Sequence, residues 1–245
     1  MELDVWEALE RGFRKTFEDT GLTLIVVFFL IGLVGRIAGE SLRRYMLQSG
    51  IIESVTNAST VFPLAWIGPP SISILLAIAV VLMSLLATIV GVRTFLNDKR
   101  NVIPQEYYSQ NLVRPLINLV IGGIVAGLVI AIGLVLLILP GLYLMLALFF
   151  WTIIVIDKEM GFFQAMKDSW RTTKGFDMKA SLILLMFLLL AISYVLSLAA
   201  GVVAGISGMS NSFGGILIEV LISAVLTIFQ LAVVVEAYLQ ASEIR

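Results

Sequence analysis

Apolar positions in this chain come in long unbroken runs, not in the interrupted periodicity of a soluble domain. Crossing a hydrocarbon core takes roughly 20 mostly apolar residues in a helix. Stretches 21–39, 72–95, 180–205 and 214–240 meet that length, and a continuous apolar block fills 116–156. Leu139-Pro140-Gly141 cuts this block. Pro removes a helix hydrogen bond and Gly permits a sharp turn, so a tight hairpin is predicted there. That leaves a third span before the cut and a short fourth span at 142–157. The pattern predicts an all-α polytopic bundle of six membrane-spanning helices.

The polar positions between the runs set the orientation. Arg11, Arg14, Lys15, Arg93, Lys99, Arg100, Arg114, Lys158, Lys167, Arg171, Lys174, Lys179 and Arg245 all fall on one side of a six-span arrangement. Only Arg36, Arg43 and Arg44 fall on the other. Because basic residues collect on the cytoplasmic face, both termini are expected in the cytoplasm, with the protein multi-pass in the plasma membrane. An odd number of spans would scramble the asymmetry. The one long external connection, 40–71, carries Phe62 and Trp66, which suit a membrane interface. It also carries the sequon Asn57-Ala58-Ser59, read here as part of a polar surface loop.

Two polar segments resemble each other. Placing "VWEALERGFRKTF" (5–17) over "FFQAMKDSWRTTK" (162–174) aligns Ala8 with Ala165, Gly12 with Ser169, Phe13 with Trp170, Arg14 with Arg171 and Thr16 with Thr173. Large apolar residues recur at i, i+3 and i+7 in both: Trp6, Leu9, Phe13 and Phe163, Met166, Trp170. Such spacing predicts amphipathic helices, too short to span and suited to lying in the cytoplasmic interface. Asp4 and Glu7 have the spacing of a capping box, and Gly175 is placed to end the second helix. Each segment precedes two spans, so the chain reads as a parallel pseudo-repeat. Its parts are an amphipathic helix (1–20), a two-span unit (21–95), a loop with the central hairpin (96–157), the second amphipathic helix (158–179) and the second two-span unit (180–245).

Composition narrows the chemistry. Residues are 60% hydrophobic and only 13% charged, well below the usual quarter in soluble domains. Lys and Arg number 16 against 17 Asp and Glu, which gives no reason to expect nucleic acid. With no Cys and no His, thiolate metal sites, Cys nucleophiles, His-zinc sites and Ser-His-Asp triads are excluded. No cofactor and no enzymatic activity are expected. The acidic start "MELDVWEALERGF" does not read as a cleavable signal peptide.

The run "LPGLYLMLALFFWTIIVIDKEMGFFQAMKDSWRTTKG" (139–175) resembles the signature of a broad prokaryotic family of multi-pass proteins. That family includes the membrane domain attached to some glycerophosphodiester phosphodiesterases. The resemblance rests on Pro140, Gly141, Asp157, Gly161, Ala165, Ser169, Thr173 and Gly175, in order. It implies a helical membrane fold. The phosphodiesterase chemistry does not carry over, because the chain has no His and no soluble catalytic length.

Ionisable residues within apolar spans are functional candidates by default. Glu219, Ser223, Thr227 and Gln230 share one stripe of the sixth span, suited to a polar path or, as favoured here, to interhelical hydrogen bonding. Arg36 matches Glu219 in depth, and Arg93 matches Glu236, so both are candidate ion pairs. Gly35/Gly39, Gly123/Gly127 and Gly201/Gly205 are expected to pack helices within the chain. Arg14, Lys15, Lys167, Arg171, Lys174 and Lys179 form a basic patch for anionic headgroups, or simply follow the charge asymmetry. The expected function is lipid interaction or scaffolding, with membrane lipids, another membrane protein or a second copy as partners. The alternative is a transporter or channel for a small solute or ion along the sixth span.

Overall fold

The computed structural model describes residues 3–49, 70–206 and 213–243. Phe62, Trp66 and Asn57 lie outside them. Among the described residues all regular structure is helical: α1 (Val5–Thr16), α2 (Asp19–Gln48), α3 (Pro70–Leu96), α4 (Gln105–Ser109), α5 (Val113–Leu136), α6 (Ile138–Ala147), α7 (Trp151–Asp157), α8 (Phe162–Thr172), α9 (Phe176–Ile206) and α10 (Phe213–Glu243). The fold is an all-α helical bundle. Among the described residues, six helical stretches are long and apolar enough to cross a membrane: Asp19–Arg43, Ser71–Leu96, Val113–Leu136, Ile138–Asp157, Phe176–Val203 and Phe213–Glu243.

Two details differ from the sequence expectation. The hairpin turns at Leu137, where the backbone is extended (φ −157°, ψ 132°), not at Pro140. Pro140 sits in the first turn of α6, where its missing N–H has no helical partner to lose. Gly141 then allows close approach to Gly133: a Cβ built on Gly133 would lie 3.0 Å from the Gly141 Cα. The fourth candidate span is not continuous either; it breaks at 148–150 into α6 and α7.

The chain divides into two compact units. One comprises Met1–Thr23, Thr88–Ala191 and Ile228–Arg245; the other comprises Leu24–Ala87 and Ile192–Thr227. Helices α2, α3, α9 and α10 contribute residues to both, whereas α1 and α4–α8 belong entirely to the first. The second unit centres on Ile216 and Val220 of α10, packed by Phe29, Leu33 and Ile37 of α2. The core of the first unit is supplied by Phe95, Phe150, Ile154, Ile156, Leu182, Leu185, Ile228 and Val233.

Candidate functional site

The short helices α1 and α8 are seated by their small residues. On α1, Ala8, Gly12 and Thr16 recur every four residues and are buried. On α8, Ala165, Ser169 and the capping Thr173 do the same. A fourfold spacing places each trio on one helix face. A Cβ on Gly12 would strike Val233 of α10, backbone included. Ser169 donates from Oγ to Ala147 O at 2.9 Å and accepts from Phe150 N at 3.1 Å. Thr173 Oγ1 bonds Ser169 O at 3.0 Å and lies 3.3 Å from Ala147 O. These bonds satisfy backbone groups left over where α6 breaks into α7. Ala165, Ser169 and Thr173 therefore form a packing surface.

The large residues face away. Trp6 is 71% exposed, Phe13 59% and Phe163 74%, with Phe17 and Trp170 exposed as well. At the start of α1, Asp4 accepts from Glu7 N at 3.0 Å, one half of a capping box. Its own N–H goes instead to Gln240 Oε1 at 3.0 Å. Gly175, with φ +128°, provides the left-handed joint between α8 and α9.

The predicted Arg93–Glu236 pair does not form. Glu236, 2% exposed, takes the ammonium of Lys15 instead, with Arg11 at 3.9 Å. Lys15 is buried too, and also reaches Phe95 O at 2.9 Å and Asp98 at 3.4 Å. It is accordingly not a headgroup ligand. Burial pushes the Asp98 carboxyl up, but Arg100 and Lys15 outweigh that and hold it below its ordinary range. Arg93 is used elsewhere. It donates to Gln110 O at 2.8 Å, Asn111 O at 3.2 Å and Tyr107 O at 3.3 Å, and pairs with Glu159 at 3.1 Å. Asn111 and Glu159 both hold positive φ, 49° and 47°, and bond each other at 3.1 Å. Beside them a cavity of about 260 Å³ is lined by Asn97, Glu106 and Asp157.

Each charge is taken up by a different neighbour. Arg93 pairs with Glu159, between α7 and α8, and with the carbonyls that follow α4, whereas Glu236 pairs with Lys15 of α1. Tyr238, on α10 beside Glu236, donates its hydroxyl to Asp157 at 2.7 Å. The roles of Glu159, Asp98, Asn111 and Tyr238 were not foreseen, because the sequence does not say which helix ends are neighbours.

Of the remaining predicted basic residues, Arg14, Lys167, Arg171 and Lys174 are exposed. Lys179 is half-buried and lies 3.7 Å over the Tyr143 ring, which packs edge-on against Trp170.

Within the second unit, Arg36 Nη2 lies 2.9 Å from Glu219 Oε2. A cavity of about 260 Å³ there is lined by Arg36, Ser84, Glu219, Ser223 and Thr227. Another, of about 290 Å³, shares Glu219 and Ser223 and adds Ser197 and Gly201. Gln230 lies in the other unit. The glycine pairs act differently from expectation. A Cβ at Gly35 would meet Val80 at 3.3 Å, but one at Gly39, Gly123, Gly127 or Gly201 would meet nothing within 4 Å. The surroundings of Gly205 are outside the description. Close packing falls instead to Gly12, Gly21, Gly32, Gly122, Gly133 and Gly141. Among the described residues, no group of three or more acidic side chains is placed to hold a metal ion.

A family model described as a domain of unknown function (DUF7847) matches residues 3–241. No curated protein and no solved structure matches the chain.

Proposed function

The chain belongs to the DUF7847 family, and from that premise we propose that it is a non-enzymatic membrane protein that engages lipid through α1 and α8. The observation carrying this reading is the division of labour on the two helices. Each buries its small residues in the protein and leaves its aromatic residues exposed: Trp6, Phe13 and Phe17 on one, Phe163 and Trp170 on the other. The indoles of Trp6 and Trp170, each with a polar N–H, favour the headgroup boundary, the Phe rings suit the acyl side of it, and Arg14, Lys167, Arg171 and Lys174 beside them suit anionic headgroups. In this reading α1 and α8 are amphipathic helices lying in the cytoplasmic leaflet of the plasma membrane, with both termini on that side. A scaffolding role toward a membrane partner or a second copy is compatible with the same surface.

Depth-dependent quenching of single-Trp variants by brominated lipids tests the reading. Trp6 and Trp170 are quenched by shallow bromines if the helices lie in the interface; quenching by aqueous acrylamide alone contradicts it.

A second reading, a path for a small solute or ion, is favoured by the two cavities meeting at Glu219 and Ser223. Labelling of Ser223→Cys by a small water-soluble thiol reagent supports it; complete protection opposes it.

A further inference from the structure

We infer that the hairpin of α5 with α6–α7 does not cross the bilayer but enters and leaves a single leaflet, its exposed apolar surface covered by the acyl chains of that leaflet. The inference rests on the proposal that α8 lies in the interface, and it extends that reading from two short helices to a large lipid-facing wedge.

The first observation is that α8 and the hairpin share one direction. Phe162 N, at the start of α8, donates to Asn118 Oδ1 of α5 at 3.0 Å. Cβ positions built on Gly122 would meet both Trp151 and Phe162. Further along, Ser169 and Thr173 bond Ala147 O, and Trp170 packs on Tyr143 with ring centroids 5.3 Å apart. Thus α8 lies antiparallel to α6–α7 along its whole length. If α8 is flat in the interface, α6–α7 and its partner α5 are strongly tilted as well. If the hairpin stands upright, Lys167, Asp168 and Arg171 of α8 are carried into the hydrocarbon, where charge is strongly disfavoured.

The second observation concerns Tyr143 and Asp157 of the fourth candidate span. Tyr143 receives Lys179 from the first turn of α9, while Asp157 receives Tyr238 from the last turns of α10. Phe150, between them, also packs on Tyr238, with centroids 5.8 Å apart. Helices α9 and α10 are each 31 residues long, about 46 Å. Only residues 207–212 separate them, too few to run back along that length, so they are antiparallel. Lys179 and Tyr238 therefore belong to the same end of that pair. A segment that meets one level of the pair at both Tyr143 and Asp157, fourteen residues apart, runs across the pair, not along it.

The third observation is the outer surface of the hairpin. Its outward residues are apolar, among them Ile124, Leu128, Ile132, Val135 and Leu139, all more than half exposed. Such a surface is covered by hydrocarbon and not by water. Four crossings with a re-entrant hairpin leave both termini on one side, as six would.

The natural absence of Cys makes the test direct. Single variants Leu137→Cys at the hairpin tip, Ser49→Cys after α2 and Lys174→Cys after α8 are reconstituted into vesicles. They are treated with an impermeant maleimide from each side. A bimane on Leu137→Cys is then read against spin-labelled phosphatidylcholine confined to the leaflet on the Lys174→Cys side. We expect no tip labelling from the side that labels Ser49→Cys, together with bimane quenching by the near-leaflet lipid. Far-side labelling at the Ser49→Cys rate, or a bimane indifferent to that lipid, overturns the inference. The native Trp170, read in the same vesicles with Trp6, Trp66 and Trp151 replaced by Phe, separates the two failures. An unquenched Trp170 removes the premise; a quenched Trp170 with a far-side tip removes the inference alone.

Discussion

The ammonium of Lys15, near the end of the first helix, sits on the carboxylate of Glu236, in the last helix, and both are buried. Gly12 one turn earlier lets α1 approach Val233 closely enough for this pair to form. The pair is a fastening between the two ends of the chain.

Breaking that fastening from one side leaves a buried charge with weaker partners only, Arg11 for Glu236 or Asp98 and Phe95 O for Lys15. Lys15→Ala or Glu236→Ala is expected to destabilise the protein by less than the roughly 3–5 kcal/mol of a fully orphaned buried charge, but measurably, because desolvation is only partly recovered. Lys15→Met with Glu236→Met is expected to restore most of the loss. Thermal unfolding in detergent, followed by size exclusion, checks the order.

The seat of α8 gives a second expectation. Ser169→Ala removes both a donor to Ala147 O and an acceptor for Phe150 N, so it costs about 1–3 kcal/mol. Thr173→Val costs less, since its bond to Ala147 O is long and shared with Ser169. A larger loss at Thr173 than at Ser169 in the same melting assay would count against this assignment.

Glycines of equal prominence in the sequence should respond in opposite ways. Gly12→Ala is expected to abolish the packing of α1, because the added carbon meets Val233 backbone. Gly123→Ala meets nothing and gains helix propensity, about 1 kcal/mol. Expression yield and melting temperature of the two variants decide it.

Arg36 and Glu219 are both about half exposed. Where that exposure is to lipid, either charge alone is costly. Arg36→Ala and Glu219→Ala are each expected to lower stability in nanodiscs, and the swap Arg36→Glu with Glu219→Arg to recover it. Equal stability of all four proteins would show that the pair faces water, where such bridges contribute little.

The six long apolar stretches and their order were legible in the sequence because length and continuous apolarity fix them, whatever packs against them; α4 and the break between α6 and α7 were not. Arg36 with Glu219 was legible for the same reason: depth in a helix is a count of residues. Arg93 and Glu236 were matched in depth as well, yet depth does not say which helices are neighbours. Lys15 looked like one more basic residue on an interfacial helix, since charge alone does not tell a buried face from an exposed one. The small residues of α8 were read as a family mark. Their use, to hold the break after Ala147, depends on a backbone irregularity that no periodicity announces.

In the proposed arrangement the aromatic faces of α1 and α8 lie in the lipid interface. Single-Trp proteins retaining Trp6 or Trp170, reconstituted with lipids brominated at graded depths, test it most directly. Both are expected to be quenched most strongly by the shallowest bromines and protected from acrylamide. Full acrylamide access with no bromine quenching at any depth would contradict it.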